Sequence, residues 1–265
     1  MVRILSIIAG MVFLIIFRGN ELTGGTAEVR VPVLVYHRFA ATATGSTTVT
    51  TREFKEDVAW LRDNRYTVIP LCNLVDFLRR GSPSPPPRAV VITVDDGHRS
   101  VWYEMLPVIR QYAIPVTLFI YPSAISNASY ALTWAQLAEM QATGLVDIAS
   151  HTYWHPNFRM EKKRLAPDAY EALVRMQLHK SKSVLERRLA GKIDLLAWPF
   201  GIYDEWLEEE AEMAGYAAAF TIERRPVTGV EKIMALPRYL VVSGHGIRKI
   251  VSAPKPAAGK GEITR

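Results

Sequence analysis

Two short segments of this chain carry side chains that could hold a metal ion and move a proton. The first is Thr93-Val94-Asp95-Asp96-Gly97, where two adjacent carboxylates close an apolar run. Neither can be buried as a charge without a compensating cation. A metal ion on one, with the other left as a base, resolves that conflict. A solvated turn in which Asp-Gly closes a strand is the alternative. The second segment is His151-Thr152-Tyr153-Trp154-His155. Imidazoles at i and i+4 converge on one ion if the segment forms a helical turn. Its alternative is two unrelated histidines, one stacked in an aromatic patch with Trp154. Two histidines and one carboxylate make the three-ligand set of an open catalytic site, whose fourth position holds water.

These residues need a scaffold that delivers them to one place. Residues 31–36 (VPVLVY) read as a strand that ends at His37, and residues 40–50 as a small, polar loop. Thr50 and Glu53 form a capping box ahead of Phe54, Val58 and Leu61 at helical spacing. Further strands are read at 66–69, 89–94, 116–120, 146–149, 195–198, 216–222 and 236–242. Helices are read between them at 71–80, 102–112, 168–190 and 204–214, with another opening at a Thr133–Gln136 capping box. The proline-rich stretch 82–88 reads as a stiff loop inside one domain. Strands that alternate with helices imply a parallel sheet with crossover helices, and seven or eight of them suggest a distorted (β/α) barrel of the α/β class. His37, the Asp95–Asp96 pair, His151 and Pro199-Phe200 each fall at the carboxyl end of a strand. That face carries the chemistry in such barrels.

Composition narrows the field. The 265 residues are 49% hydrophobic and 22% charged with a net charge of +6, which suits one globular domain. No run of Lys or Arg forms a stripe for nucleic acid, so no nucleic-acid partner is expected. Cys72 is the sole cysteine, which excludes an intramolecular disulfide and a multi-cysteine zinc site. It opens an apolar helical pattern and is expected to be a buried small hydrophobe. Residues 1–27 read as a targeting segment: Arg3, then a run from 4 to 17 with only Ser6 polar, then Gly25-Thr26-Ala27 at a cleavage site. That run, as helix, spans about 21 Å against a hydrocarbon core of ~30 Å. A cleaved signal peptide is therefore expected, with a membrane anchor as the alternative. The domain is expected over 28–251, and 252–265 reads as a disordered tail.

Together the motifs resemble the polysaccharide deacetylase family, the carbohydrate esterases that share a domain with the nodulation chitooligosaccharide deacetylase. The resemblance runs in order and spacing over roughly residues 30–245. It implies Asp95 as the base and Asp96, His151 and His155 as ligands of zinc or another divalent ion such as cobalt or nickel. It also implies the Phe200 backbone N–H as an oxyanion donor. Val94 replaces the family's Phe. The family's R-x-P-Y/F motif is Ala197-Trp198-Pro199-Phe200 here, so the arginine that pairs with the base is missing. Arg238, in Leu236-Pro237-Arg238-Tyr239, is expected to take its place.

Tyr36-His37-Arg38-Phe39 resembles the branch that deacetylates poly-β-1,6-N-acetylglucosamine of biofilm exopolysaccharide, where an early histidine replaces a late Leu-x-His. His37 is accordingly expected to be the general acid. His245, in Val242-Ser243-Gly244-His245, departs from Leu-x-His and sits between glycines. The implied activity is hydrolysis of N-acetyl groups on an N-acetylhexosamine polysaccharide by an exported protein of the periplasm or cell envelope. Peptidoglycan, a chitooligosaccharide or an acetyl ester are alternative substrates, and a catalytically silent carbohydrate-binding envelope protein is the alternative of another class. Among the remaining residues, His98 is expected to cap a helix, His179 to lie at the surface and Trp198 to be core. Tyr153, Trp154 and Phe158 line either a sugar cleft or the core.

Overall fold

The computed structural model describes residues 29–252, so the expected signal segment and almost all of the expected tail lie outside the described residues. The chain enters as β1 (Val33–Tyr36), followed by a short parallel pair, β2 (Arg38–Ala40) and β3 (Thr48–Thr50). α1 (Thr51–Asp63) opens on the Thr50–Glu53 capping box, with both reciprocal hydrogen bonds made. β4 (Thr67–Val68) and α2 (Leu71–Arg80) lead to β5 (Ala89–Asp95), which is buried along its whole length. A π-helical turn, Val101–Met105, runs into α3 (Leu106–Tyr112) and then β6 (Val116–Ile120). α4 (Trp134–Ala142) opens on the second capping box and precedes β7 (Val146–Ser150). α5 (Phe158–Arg164) and α6 (Pro167–Arg188) follow, then β8 (Leu195–Ala197), α7 (Glu205–Met213), β9 (Ala218–Phe220), β10 (Tyr239–Leu240) and α8 (Arg248–Val251).

Seven of these strands form one parallel sheet in the order β10-β1-β5-β6-β7-β8-β9, and β4 pairs with β5 beside that path. The sheet curves into a half-barrel surrounded by helices. At one end of the sheet, Phe220 of β9 forms an isolated parallel bridge with Leu236, three residues ahead of β10, where Leu236 donates to Ala219 and accepts from Thr221. The distorted α/β barrel expected from the alternation is the observed architecture.

Strand parity decides what points inward. Successive side chains alternate between faces. Val33, Val91, Phe119, Ala149, Ala197 and Phe220 pack together on the concave side, while Leu34, Tyr36, Ile92, Val94 and Leu118 pack under the helices. Along β5 the concave positions are Val91, Thr93 and Asp95. Both faces are covered, which is why these strands are near-continuous apolar runs.

Several expectations need correcting. Residues 40–50 are not simply a loop, because β2 and β3 pair through them. α5 carries too many charges to be read as an amphipathic helix. Cys72 is exposed, since it follows Leu71 at the start of α2 and turns away from the buried Leu71–Leu74–Val75 stripe. Among the described residues no helix is long and apolar enough to cross a membrane.

Candidate active site

Asp95 is the last residue of β5 and, by parity, faces the concave side. Its carboxylate is 2% exposed and accepts two hydrogen bonds from the Arg238 guanidinium, at 2.8 and 2.7 Å. Arg238 is completely buried. It also donates to the Thr221 carbonyl and the Thr93 hydroxyl, and lies over the Phe119 ring at 5.0 Å. Burial pushes the Asp95 carboxyl up, but the Arg238 charge, helped by His151, outweighs it and holds the group at about 2. Asp95 is thus an anion prepared by a planar, bidentate partner. Ala197 stands where the family motif has its arginine. Arg238 brings a guanidinium to Asp95 from a segment 143 positions away in sequence.

Asp96 turns the other way because its backbone is left-handed, with φ of 75°. Gly97 follows at φ 73°, and a Cβ there would come within 2.9 Å of the Ile120 side chain. This tight turn separates two adjacent carboxylates into different environments.

His151 follows β7 and is buried; its Nδ1–H donates to the Ala197 carbonyl at 2.8 Å. That bond leaves the Nε2 lone pair free, 3.7 Å from an oxygen of Asp96. His155 places its Nε2 at the same distance from the same oxygen. The histidines do not converge through a helical turn, as their spacing suggested. Thr152 and His155 are left-handed, at φ 62° and 66°, so the segment is a tight non-helical loop. Buried Gln177 of α6 holds it, accepting from the Tyr153 and Trp154 backbone N–H groups at 3.0 and 2.9 Å. Burial, with the His151 charge, lowers the His155 pKa to about 4, so its ring is neutral at pH 7 and able to bind a metal.

The candidate ligand atoms of Asp96, His151 and His155 lie within 4.8 Å of one another. Four donors on a zinc ion with ~2.05 Å bonds sit roughly 3.3 Å apart. The 3.7 Å separations need little tightening, and two imidazoles with one carboxylate are a donor set that divalent ions accept. The residues fit a divalent metal.

His37 lies between β1 and β2, and its Nδ1 is buried without a hydrogen-bond partner. Burial lowers its pKa, and the charges of Asp95 and Asp96 act in the opposite sense, which puts it among the same carboxylates. His245 is elsewhere. It is exposed, and its loop is tied to α1 where Glu53 accepts from Ser243 and from the Gly244 N–H.

Phe200 has φ of 56°, and its exposed ring packs on His155 at a centroid distance of 4.6 Å. Gly201 next to it is at φ 65°, where a Cβ would lie 2.6 Å from Ile222. Left-handed backbone at Asp96, Thr152, His155 and Phe200 costs of order 1–3 kcal/mol each, and such strain gathers at functional sites.

Sequence reading missed Tyr121, whose ring lies 5.5 Å from His155 and whose hydroxyl meets that of Tyr130 at 2.8 Å. It also missed Gln177, whose signal was a polar residue among the buried positions Val174, Leu178 and Leu185 of α6. His98 is not the helix cap expected of it: Ser100 holds the N-cap position of the turn Val101–Met105, and the His98 Nδ1 accepts from the Ser100 N–H, while His179 is exposed as expected. Trp198 is core as expected, and Phe158 is core rather than cleft-lining, whereas Trp154 is exposed.

Fold and site together define an α/β half-barrel with a candidate metal-binding triad beside a carboxylate paired to an arginine. The family model described as polysaccharide deacetylase matches residues 82–219. This chain belongs to the polysaccharide deacetylase family. A poly-β-1,6-N-acetyl-D-glucosamine N-deacetylase of Staphylococcus epidermidis is 27% identical over 197 residues, covering 73% of this chain and 68% of that protein. The protein of the same name from Escherichia coli K12 is 23% identical over 76% of this chain, which spans only 34% of its length. Among solved structures, IcaB from Ammonifex degensii is 25% identical with a TM-score of 0.71, covering 80% of this chain and 92% of that one. The Streptococcus pyogenes deacetylase PplD, in complex with acetate, shares the fold at 19% identity and a TM-score of 0.72, over 81% and 93% of the two chains.

Proposed function

We propose that this chain hydrolyses N-acetyl groups on poly-β-1,6-N-acetylglucosamine, releasing acetate and leaving free glucosamine units. The observation that carries the reading is one buried carboxylate, Asp95, clamped by Arg238 beside the Asp96–His151–His155 triad. The names of the relatives supply the polymer.

Asp96, His151 and His155 are the residues to hold the ion, zinc or a substitute such as cobalt or nickel. Bound there, such an ion lowers the pKa of a water and polarises the acetyl carbonyl. Asp95, ionised by its pairing, takes the proton of the attacking water. The Phe200 N–H donates to the oxygen that gains charge, a contact worth up to a few kcal/mol in such sites. His37 protonates the leaving amine, a poor leaving group otherwise. Burial lowers the His37 pKa overall, and the two carboxylates beside it oppose that fall. Export is part of the reading, because the polymer lies outside the cell, with cleavage after Ala27 testable by N-terminal sequencing.

The test is acetate release from poly-β-1,6-N-acetylglucosamine, peptidoglycan and chitooligosaccharides. Chelation should abolish release and added zinc, cobalt or nickel should restore it. Full activity in metal-stripped protein, or release only from another polymer, overturns the corresponding part of the reading.

A further inference from the structure

Beyond the candidate metal triad and Asp95, a cleft of about 410 Å³ lies beside the strand-end rim. It is lined by Lys162, Leu165, Pro167, Tyr170, Glu171 and Trp206. Its place follows from topology. α5 begins three residues after His155, and Asp204, the N-cap of α7, lies four residues after Phe200. The N-terminal ends of α6 and α7 follow the segments that leave the carboxyl ends of β7 and β8, so they stand on the rim that carries the site. Lys162 and Asp204 close the two segments onto each other with an ion pair at 2.8 Å. The cleft therefore flanks the segments that supply His155 and Phe200.

The lining has a mixed chemistry. Tyr170 and Trp206 are tilted against each other at a centroid distance of 5.6 Å, with Trp206 half-buried and open to the cleft. Lys162 and Glu171 put one charge of each sign on the rim, both side chains about half exposed. Aromatic faces beside a few polar groups suit a ligand with an apolar face and hydroxyl edges, and the volume lies in the range of small-ligand pockets. A pyranose ring has that form. Phe200, Trp154 and Met160 are exposed on the same two segments, and the Phe200 ring packs on His155.

We propose that this cleft is a sugar subsite that holds a pyranose ring of the same polymer strand, removed from the ring being deacetylated. The proposal rests on the polysaccharide deacetylase reading and adds to it a preference for longer chains. Binding energy gathered at the cleft holds the strand in register over Asp95 and the triad. Nothing else in the reaction needs Trp206, so its contribution should appear only with chains long enough to reach it.

The experiment compares acetate release from β-1,6-linked N-acetylglucosamine pentamers and dimers by the native protein, Trp206→Ala, Trp206→Phe and Lys162→Ala. The ratio of kcat/KM for pentamer over dimer should fall about tenfold in Trp206→Ala, chiefly through the pentamer KM. Trp206→Phe should recover most of the ratio, and Lys162→Ala should lower it less. A ratio equal to the native one in Trp206→Ala overturns the proposal, including the case where both substrates lose equally through damage to the fold. If Trp206→Ala does not fold, the ratio in Lys162→Ala and Trp206→Phe decides. If the native protein releases acetate from neither oligomer, the deacetylase reading fails separately, and calorimetric pentamer binding tests the cleft. Binding weakened about tenfold by the Trp206 change sustains it, and binding that is absent or unaffected overturns it.

Discussion

Among the described residues two aspartates are buried, and their surroundings drive them in opposite directions. Asp95 faces the concave side of the sheet, where the Arg238 fork gives it two hydrogen bonds and a full positive charge. Asp57, on α1, faces the layer between sheet and helices. There it accepts from the Tyr36 hydroxyl at 3.1 Å and from the Ile247 N–H, with Arg248 a weaker influence. Burial raises both carboxyls. At Asp95 the guanidinium outweighs it and the pKa stays at about 2, whereas at Asp57 neutral donors do not and it rises to about 6. Tyr36 and His37 are adjacent in sequence and serve opposite sides of this divide, because consecutive residues at a strand end point to opposite faces. Of the two, only Asp95 has a buried cation that holds it ionised well below neutral pH.

The sharpest way to break this contrast is to neutralise each acid. Asp95→Asn should lower turnover by about 10²–10⁴ while the bound metal stays. Asp57→Asn should leave turnover within about twofold. Metal content of Asp95→Asn should also differ from that of Asp96→Asn, which should lose its ion. Equal loss in both would undo the division of labour between the two neighbours.

His37 sharpens the same comparison, since it belongs to the Asp95 side. His37→Ala should lower turnover by about 10²–10⁴ with metal content unchanged, and His245→Ala should have little effect. The reverse result would assign the general acid to the late histidine.

Arg238→Met should convert Asp95 toward the state of Asp57. Removing one partner of a buried pair costs about 3–5 kcal/mol, which urea unfolding would read. Burial would then act on Asp95 with less opposition and raise its pKa, moving the acidic limb of the pH–rate profile upward. Arg238→Lys should restore charge without the two-pronged geometry and recover only part of the loss. An unmoved acidic limb in Arg238→Met would show that the pair does not set the base.

The smallest effect concerns Asp57 alone. Its folded pKa of about 6 lies above its ordinary value of 3.8, so the folded state prefers the protonated acid. The stabilisation that follows is fully present below pH 3.8 and is lost as pH rises through 6. Asp57→Asn should therefore gain stability relative to native as pH rises from 4 to 7.5, on the order of 1–3 kcal/mol. A gap independent of pH would contradict the assignment.

Much of the site is legible in the order of residues alone. The period of two in β1, β5 and β7 puts His37, Asp95 and His151 on the same face as Val33, Val91 and Ala149, and the turns that follow put them on one rim. The capping boxes at Thr50 and Thr133 mark two helix starts to the residue. Such features depend on neighbours within a few positions, so a linear reading reaches them.

Other features depend on the packed chain. Whether Arg238 reaches Asp95 is decided by the pairing of β10 with β1 and the bridge of Leu236 to Phe220, not by the residues beside either one. The spacing of His151 and His155 suggested a helical turn, yet left-handed backbone at Thr152 and His155 brings them together under the hold of Gln177. Left-handed backbone is uncommon for any residue but glycine and an outlier for a β-branched threonine, and it persists here because the surrounding fold over-determines it. Likewise the burial of Asp57, the exposure of Cys72 and the cleft beside Trp206 belong to contacts between distant elements. Residue order and strand period establish which groups stand at the ends of which strands. Their charge, their tautomer and their convergence come from the packed fold, because those are set by desolvation and by partners that the chain brings together from far apart.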